Sequence, residues 1–502
     1  MGNPLFATKP LSMLLEEAKG ENRLRRVLGP VQLTSLGVGA IIGTGIFVLT
    51  GKAAHDVAGP SLMLSFVVAG LACIFAALCY SEFASMAPVA GSAYTYAYAT
   101  LGELFAWIIG WDLILEYAVA SSTVAHGWSH YFQDLLGIFG WLHIVPEALR
   151  AAPFDYDPRV GHFMATGTLF DLPAIVITAL VTIVLVKGIQ ESASFNTAMV
   201  VIKLAVVFMV IGIGVFYVDP ANWHPFAPHG YLGVKIFGFT LGQTDAGGQP
   251  LGMLAGGAAI FFAYIGFDSI STHSEEARNP QRDVPVGIIW SLVLCTVLYI
   301  AVTAVLTGMV PYDQINIDAP VSKAFEHVGL HVVQFFVSAG ALAGITSVLL
   351  VMMLSQPRVF LAMARDGLLP QSFFGAIHDK FRTPWKSTIL TGIFVAIVAA
   401  LVPLRVLADL VSIGTLFAFL VVCAAVLIMR RTNPNAERPF KAPLMPFTAF
   451  AGIALCLLLM FSLPAENWYR LFGWLAIGFL IYFGYGRNHS VLAKLRAKEA
   501  RR

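Results

Sequence analysis

One lysine of this chain stands inside an apolar stretch, where a charged side chain is costly. Lys203 lies in VVIKLAVVF, about ten residues into a segment that is long enough to cross a membrane. An ionisable residue at that depth is by default a functional feature, and it could take up and release a proton. The alternative is that the ammonium reaches back to the membrane surface, although that distance is long for a lysine side chain.

Two acidic residues share one helix face in the segment GWDLILEYA. Asp112 and Glu116 are four positions apart, which places them on the same side of a helix. Two carboxylates inside a membrane are unfavourable neighbours unless one is protonated, paired or hydrated. Asp112 fits a structural role near the membrane boundary. Glu116 is the better candidate for a pocket or gate, and it is the one obvious acid that could attract a cationic side chain.

Two further stretches carry glycines where a membrane helix would carry larger apolar residues. Gly43 and Gly45 lie in IIGTGIFV, and Gly266 lies in AIFFAYIGFDSIST. Glycine in a helix interior costs about 1 kcal/mol relative to alanine. These glycines predict helices that are interrupted in the middle of the membrane. The alternative is that they only permit close packing between continuous helices.

An interruption in a membrane helix frees backbone groups, which must then line a polar cavity. The half-helix that begins after Thr44 would present free N–H groups and a positive dipole end, which suit a carboxylate. The half-helix that ends near 262–265 would present carbonyl groups, which suit an ammonium, and Asp268 could cap the next helix. Together the two interruptions match the two charged ends of an α-amino acid.

The composition places these segments in a membrane. Of 502 residues, 58% are hydrophobic and only 12% are charged, with a mean hydropathy of +0.76. Soluble chains carry about 25% charged residues. The net charge of +2 does not indicate nucleic-acid binding. The five cysteines lie in apolar stretches and the histidines show no metal-ligand spacing, so we predict no metal, cofactor or disulfide.

About twelve segments have the roughly 20 apolar residues that a bilayer core requires, which predicts an all-α integral membrane protein. They lie near 31–49, 61–83, 96–133, 172–190, 194–218, 251–275, 285–310, 330–356, 386–402, 406–429, 446–463 and 467–486. We expect the loops 134–171 and 219–250 to lie outside. The interrupted spans are five apart and would run in opposite directions, as in transporters that are built from inverted repeats.

The distribution of lysine and arginine predicts the orientation. With a cytoplasmic N-terminus, 23 of the 31 lysines and arginines lie on the cytoplasmic side, seven lie outside, and Lys203 lies within a span. Positive charges stay on the cytoplasmic side during insertion. We therefore predict that the tails 1–30 and 487–502 are both cytoplasmic. Near that face, Glu82 could pair with a base such as Arg278 in a gate, or it could lie at a solvated helix end.

Four stretches of the chain form a recognisable set: LTSLGVGAIIGTGIFVLTG, GWDLILEYAVASS, FFAYIGFDSISTHSEEARNPQRDVP and LSQPRVFLAMARDGLLP. They closely resemble the amino acid–polyamine–organocation superfamily, and most of all bacterial members of its cationic amino acid transporter branch. The resemblance implies a LeuT-type fold with two inverted five-helix repeats, 31–218 and 251–430, and two last helices, 446–486. It also implies secondary active amino acid transport.

The resemblance further implies a substrate site at the two interruptions. Members of the superfamily bind the substrate carboxylate through the backbone of the first interruption and the amino group through carbonyls of the second. The corresponding residues here are Ile41, Thr44 and Gly45 for the carboxylate and Phe262, Ala263 and Ile265 for the amino group. Lys203 takes the place of the sodium ion of sodium-coupled relatives, which implies proton coupling. Thr346 and Ser347 could still supply hydroxyl ligands to sodium.

Aromatic and flexible residues beside these positions could complete a pocket. One aromatic near the second interruption is expected to close over the substrate, and Tyr264 and Phe267 are candidates beside Phe262. Met352 could add flexible apolar bulk to the pocket, although ordinary core packing is the simpler interpretation.

The sequence thus predicts a transporter of the cell membrane that moves L-amino acids inward with protons by alternating access. Small or apolar neutral amino acids are the favoured substrates. Cationic amino acids and obligate exchange are the alternatives within this class. A membrane enzyme would need converging catalytic groups and a channel would need a continuous polar stripe, and the spans show neither pattern. An accessory subunit cannot be read from the chain.

Overall fold

A computed structural model gives the fold of most of the chain. The described residues are 4–10, 28–86, 92–157, 160–188, 193–236, 239–272 and 274–499. Of the predicted tail 1–30, only residues 4–10 and 28–30 lie within these ranges.

The described residues form nineteen α-helices. In chain order they are α1 (Pro30–Ile41), α2 (Thr50–Ala53), α3 (Leu62–Met86), α4 (Ser92–Thr100), α5 (Glu103–Ile138), α6 (Leu172–Lys187), α7 (Ala193–Gly214), α8 (Met253–Ala259), α9 (Ser269–Thr272), α10 (Pro280–Met309), α11 (Pro320–His327), α12 (His331–Arg365), α13 (Gln371–Phe374), α14 (Trp385–Leu401), α15 (Leu404–Thr432), α16 (Phe447–Phe461), α17 (Ala465–Ile481), α18 (Arg487–His489) and α19 (Val491–Glu499). Turns of 3-10 helix lie at Pro4–Phe6, Gly59–Ser61, Leu142–Ile144, Glu147–Leu149, Val215–Tyr217, Pro220–Trp223, Phe261–Tyr264, Ser274–Glu276 and Tyr312–Gln314. Turns of π-helix lie at Gly45–Leu49, Ala54–Ala58 and Tyr482–Gly486.

The helices have the lengths and apolar character of a multi-pass membrane protein. By length and composition, six helical runs in the described residues can cross a membrane, and eight can if each of two bent pairs is one span. The bent pairs are α8 with Phe261–Ser271, at 49°, and α16 with Ala465–Leu495, at 111°. Three shorter apolar helices, α1, α6 and α14, accompany them. The count of twelve crossings and the inverted repeat stay predictions.

The third predicted span, 96–133, has different bounds in the structure. Gly102, with a φ of 102°, separates the short helix α4 from the long helix α5. Helix α5 then continues to Ile138, so it extends beyond the predicted end of the span. Glycine adopts this backbone conformation easily, which explains why the chain turns there.

Three short two-stranded antiparallel hairpins accompany the helices, and the mainly helical structure agrees with the predicted all-α membrane protein. Their paired strands are β1 (Phe154–Asp157) with β2 (His162–Ala165), β3 (Val234–Ile236) with β4 (Phe239–Leu241), and β5 (Gln243–Thr244) with β6 (Pro250–Leu251). All three lie in or at the end of the predicted loops 134–171 and 219–250. Each strand has at most four residues, too few for a clear alternation of apolar and polar side chains.

Helix α5 lies at the centre of the bundle. In its most apolar stretch 83% of the residues are buried, whereas 33% are buried in the corresponding stretch of Ala198–Tyr217. It packs against α12 and α15, while α10 packs against α3 and α1. The residues that α5 carries are therefore enclosed by protein, and α7 exposes more of its surface to the membrane.

Glu82, near the end of α3, is buried with 2% exposure, so its interpretation as a solvated helix end is wrong. Its carboxylate accepts hydrogen bonds from Arg430 at 2.9 and 2.6 Å and lies 3.3 Å from Nε of Arg438. The backbone N–H of Ala442 also donates to it, at 2.8 Å. Its basic partners are therefore these two arginines and not Arg278.

Removing this carboxylate should destabilise the protein. We expect Glu82→Ala to lower the free energy of unfolding by about 3 kcal/mol, because two guanidinium groups lose their shared counter-charge. Unfolding of the purified protein in detergent measures the effect. Glu437→Ala, at an exposed position of the loop after α15, is the matched control. Equal stability of the two variants would contradict a stabilising role for Glu82.

Candidate functional site

The first interruption lies at the glycines that predict it. Helix α1 ends at Ile41, and Ile42 has an extended backbone with φ −73° and ψ 105°. Helical structure resumes with the π-helical turn Gly45–Leu49. The Thr44 hydroxyl, between the two halves, is buried and has no hydrogen-bond partner among the described residues. At the interruption, the Thr44 hydroxyl is therefore free to form a hydrogen bond with a bound molecule inside the bundle.

The second interruption lies between α8 and α9. After the 3-10 turn Phe261–Tyr264, Ile265 is extended, with φ −63° and ψ 137°, and Gly266 has a φ of 121°. Such a positive φ favours glycine. A Cβ on Gly266 would also lie 2.9 Å from the backbone of Ala40. Both the conformation and the close approach of α1 therefore require glycine at this position.

The two interruptions contact each other. A Cβ on Gly45 would collide with the backbone of Ala263. The Tyr299 hydroxyl, from α10, lies 2.9 Å from the carbonyl oxygens of both Ile41 and Ala263. A hydroxyl carries one hydrogen, so it cannot fully satisfy both carbonyls at once. Carbonyl groups from both interruptions therefore converge on a single buried hydroxyl.

Lys203 is fully buried and contacts the helix that carries the first interruption. Its ammonium donates a hydrogen bond to the carbonyl oxygen of Gly39 at 2.5 Å. Its stem packs against α12, where a Cβ on Gly344 would lie 3.1 Å from Lys203 Cγ. The side chain points into the bundle, so the alternative that it reaches back to the membrane surface is wrong.

The two hydroxyls that could serve sodium are both engaged in hydrogen bonds. Thr346 donates to the carbonyl of Leu342 at 2.7 Å and accepts from the indole of Trp128 at 2.9 Å. Ser347 donates to the carbonyl of Gly344 at 3.2 Å. A sodium ion that used the Thr346 oxygen would compete with the Trp128 indole.

Three carboxylates form a buried group beside the second interruption. Glu116 and Asp112 on α5 and Asp268 before α9 are each exposed by 2% or less, and Glu116 interacts electrostatically with the other two. The Tyr117 hydroxyl donates to Asp268 at 2.7 Å. The other oxygen of Asp268 and both oxygens of Asp112 have no hydrogen-bond partner in the described chain. Asp112 is therefore enclosed by protein, and Glu116 lies near Asp268, which follows Gly266 by two residues.

The aromatic candidates pack against residues of the neighbouring helices α3, α10 and α15. Tyr264 donates its hydroxyl to the carbonyl of Phe66 at 2.8 Å, and its ring packs against Phe66 and Tyr299. Phe267 packs against Tyr80 and Phe419, with ring centroids 5.9 and 5.0 Å away. Both rings are fully buried, and so is nearly all of Met352 on α12 and of Phe262.

Tyr299 is the site residue that sequence reasoning missed. Its partner Ile41 is 258 positions away along the chain, so no local pattern links the two. The available signal is a single tyrosine in the apolar stretch SLVLCTVLYIAV. Because the two interruptions free backbone carbonyls inside the membrane, a hydroxyl in an apolar helix indicates a hydrogen bond to one of those carbonyls.

Comparison with known families identifies the kind of protein that carries this geometry. A family model described as amino acid permease matches residues 28–482, which cover nearly all the helices. The chain belongs to the amino acid permease family. The resemblance to the amino acid–polyamine–organocation superfamily is thereby confirmed, and the chain is a multi-pass membrane protein of a permease family.

Individual relatives cover almost the whole chain. Two proteins of Bacillus subtilis (strain 168) are 46% identical to it: the methylthioribose transporter over 490 residues, 98% of this chain and 99% of the relative, and the branched-chain amino acid permease BcaP over 493 residues, 98% and 100%. The vacuolar cationic amino acid transporter 4 of Arabidopsis thaliana is 37% identical over 425 residues, 84% of this chain and 66% of the relative. All three names describe transporters or permeases, which indicates a transporter and not an enzyme.

Proposed function

We propose that this protein is a secondary active transporter that moves L-amino acids inward together with protons by alternating access. The observation that supports this most is the convergence of the two interruptions, where the carbonyls of Ile41 and Ala263 share the hydroxyl of Tyr299. Small or apolar neutral amino acids are the proposed substrates. Membership of the amino acid permease family agrees with an amino acid as the substrate.

The backbone would bind the two charged ends of the substrate. The first turn of a helix has N–H groups without intrahelical partners, so the turn that begins at Thr44 and Gly45 offers donors to a carboxylate. The carbonyls of Phe262, Ala263 and Ile265 offer acceptors to an ammonium. An ammonium has three N–H donors, so it could satisfy carbonyls that the single hydroxyl hydrogen of Tyr299 cannot.

Lys203 is the proposed proton carrier. Its ammonium bonds the carbonyl of Gly39, two residues before the end of α1, so a change in its protonation acts directly on the helix that holds the substrate carboxylate. When neutral, the amine would hold this carbonyl less strongly, because hydrogen bonds from charged donors are the stronger ones. The hydrogen bonds of Thr346 and Ser347 weigh against sodium at this place.

The relatives support apolar neutral substrates without excluding others. One relative at 46% identity is named for branched-chain amino acids, and the plant relative at 37% is named for cationic ones. The methylthioribose transporter, also at 46%, is named for an uncharged sugar, which would not use two backbone sites that suit opposite charges. We therefore rank neutral amino acids first and cationic amino acids second.

The chain is proposed to lie in the cell membrane with both termini in the cytoplasm. The excess of lysine and arginine on one side supports this orientation. Residues 31–218 and 251–430 are the proposed inverted repeats, and 446–486 are the two last helices.

Binding and uptake assays with the purified protein test the proposal. Thermal-shift measurements at two pH values, with each common amino acid and with methylthioribose, should show stabilisation by neutral apolar amino acids. Liposomes should accumulate the same amino acid when the outside is more acidic, and not when only a sodium gradient is imposed. If the liposomes exchange internal for external amino acid but show no uptake driven by a pH gradient, the protein is an obligate exchanger. Stabilisation by methylthioribose alone would contradict amino acid transport.

A further inference from the structure

Helix α5 continues beyond the proposed substrate region and there holds the second half of the first interrupted helix. The hydroxyl of Tyr131 donates a hydrogen bond to the carbonyl of Phe47 at 2.7 Å. The two rings also meet edge to face, with centroids 6.1 Å apart. Phe47 lies in the π-helical turn Gly45–Leu49, which follows the interruption directly. Tyr131 thus fixes the half-helix 45–58 to the centre of the bundle.

One turn further along α5, Asp134 holds a different element. Its carboxylate accepts hydrogen bonds from Ser322 at 2.5 Å and Ser338 at 2.6 Å, and it lies 3.2 Å from the ammonium of Lys323. Its side chain is only 2% exposed. Ser322 and Lys323 belong to α11, whereas Ser338 lies near the start of α12. Asp134 thus ties α11 to α5 through a buried charge.

Lys323 is a suitable partner for this carboxylate. Partial burial disfavours its charged form, but hydrogen bonds and attraction from Glu326 and Asp134 outweigh the burial and raise the pKa of the ammonium. The Lys323 ammonium also lies 2.5 Å from Glu326. The two carboxylates therefore favour the charged form of the Lys323 ammonium.

Helix α11 packs directly on the half-helix 45–58. A Cβ on Gly51 would collide with the side chain of Pro320, the first residue of α11, and would lie 3.3 Å from Ile315. On α11, Val321 and Phe325 are buried. Helix α11 therefore acts as a cover for the half-helix, and two residues on one face of α5 hold the half-helix and its cover.

We propose that Tyr131 and Asp134 form a latch that keeps the half-helix 45–58 and α11 closed over the substrate region. The latch rests on the proposed function, because alternating access requires this half-helix to move. Neither residue contacts the proposed substrate groups, so both act as positioning residues. Opening breaks polar contacts of two residues that lie three positions apart on α5, so the half-helix and its cover are released from the same place.

A reporter cysteine on α11 tests the latch without requiring transport. Ala324→Cys places a thiol at a position that is 4% exposed, and the five native cysteines are all buried, so background labelling is slow. In detergent, we expect Tyr131→Phe to speed thiol labelling of this reporter by about fivefold, the effect of one typical hydrogen bond. Asp134→Asn should speed it by roughly tenfold or more, because its bonds involve a charge.

Tyr156→Phe is the matched control. It also removes one tyrosine hydroxyl that donates a hydrogen bond, in this case to the carboxylate of Asp245 at 2.9 Å, but Tyr156 lies on the hairpin β1–β2 and not on α5. Labelling of the reporter should not change in this variant. Tyr131→Phe removes one oxygen and keeps the ring, so it carries the test alone if Asp134→Asn does not fold.

Uptake kinetics separate a latch from general damage. A weakened latch populates the open form, so the KM for uptake should fall or stay constant while the maximal rate falls. Unchanged labelling in a folded Tyr131→Phe variant would overturn the latch, whatever the uptake. If the variants are labelled faster but the unmodified protein transports no amino acid, the latch is supported and the proposed function is overturned.

Discussion

A protein carrying Lys203→Ala should bind its amino acid but lose all accumulation that a pH gradient drives. A difference of one pH unit supplies about 1.4 kcal/mol for each proton moved, which is about tenfold accumulation of a substrate that moves with one proton. Alanine carries no proton and leaves the carbonyl of Gly39 without its donor. In liposomes with a one-unit gradient, we expect about tenfold accumulation by the unmodified protein and none by the variant.

The control for this experiment is a lysine outside the bundle. Lys235, on β3, donates to the carbonyl of Gly248 at 3.1 Å, and Lys235→Ala should accumulate substrate as the unmodified protein does. A substrate-dependent thermal shift shows that the Lys203→Ala variant folds and binds. Full pH-driven accumulation by Lys203→Ala would assign proton coupling to another residue, and the buried carboxylates Glu116 and Asp268 would be the next to test.

The helices could be predicted because each follows from a local property of the sequence. A run of apolar residues such as 406–429 corresponds to α15, and Gly43, Gly45 and Gly266 mark the interruptions without any knowledge of neighbours. The hairpin β1–β2 could not be predicted in the same way. Its strands have four residues each, and its pairing depends on contacts that no short pattern records.

The same distinction applies to the candidate site. Lys203 and Glu116 were identified because a charge in an apolar stretch is conspicuous by itself. Tyr131 and Tyr299 each donate to a backbone carbonyl far away in the chain, and a hydroxyl in a helix does not reveal its partner. Asp134 is the first residue of the predicted loop 134–171, and a carboxylate in a loop is expected to be solvated. Its burial depends on the contact with α11. Polar contacts between residues that are far apart in the chain therefore could not be predicted from the sequence.

The second large effect is expected at the contact between the two interruptions. In Gly45→Ala the new methyl group would collide with Cα and Cβ of Ala263, and neither atom can move without moving the backbone of the second interruption. Overpacking of this kind costs about 1–3 kcal/mol. Because 1.4 kcal/mol corresponds to a tenfold change in affinity, substrate binding and uptake should each fall by about tenfold or more.

Gly212→Ala is the matched control, because this glycine lies on α7 and a Cβ there would meet no atom within 4 Å. Both variants replace glycine by alanine in a membrane helix, so a general effect on helix propensity would appear in each. Loss of the substrate-induced thermal shift in Gly45→Ala alone would show that binding depends on the close approach of residues 45 and 263. Equal binding by the two variants would mean that the substrate groups lie elsewhere, since a methyl group at this contact must separate the two interruptions.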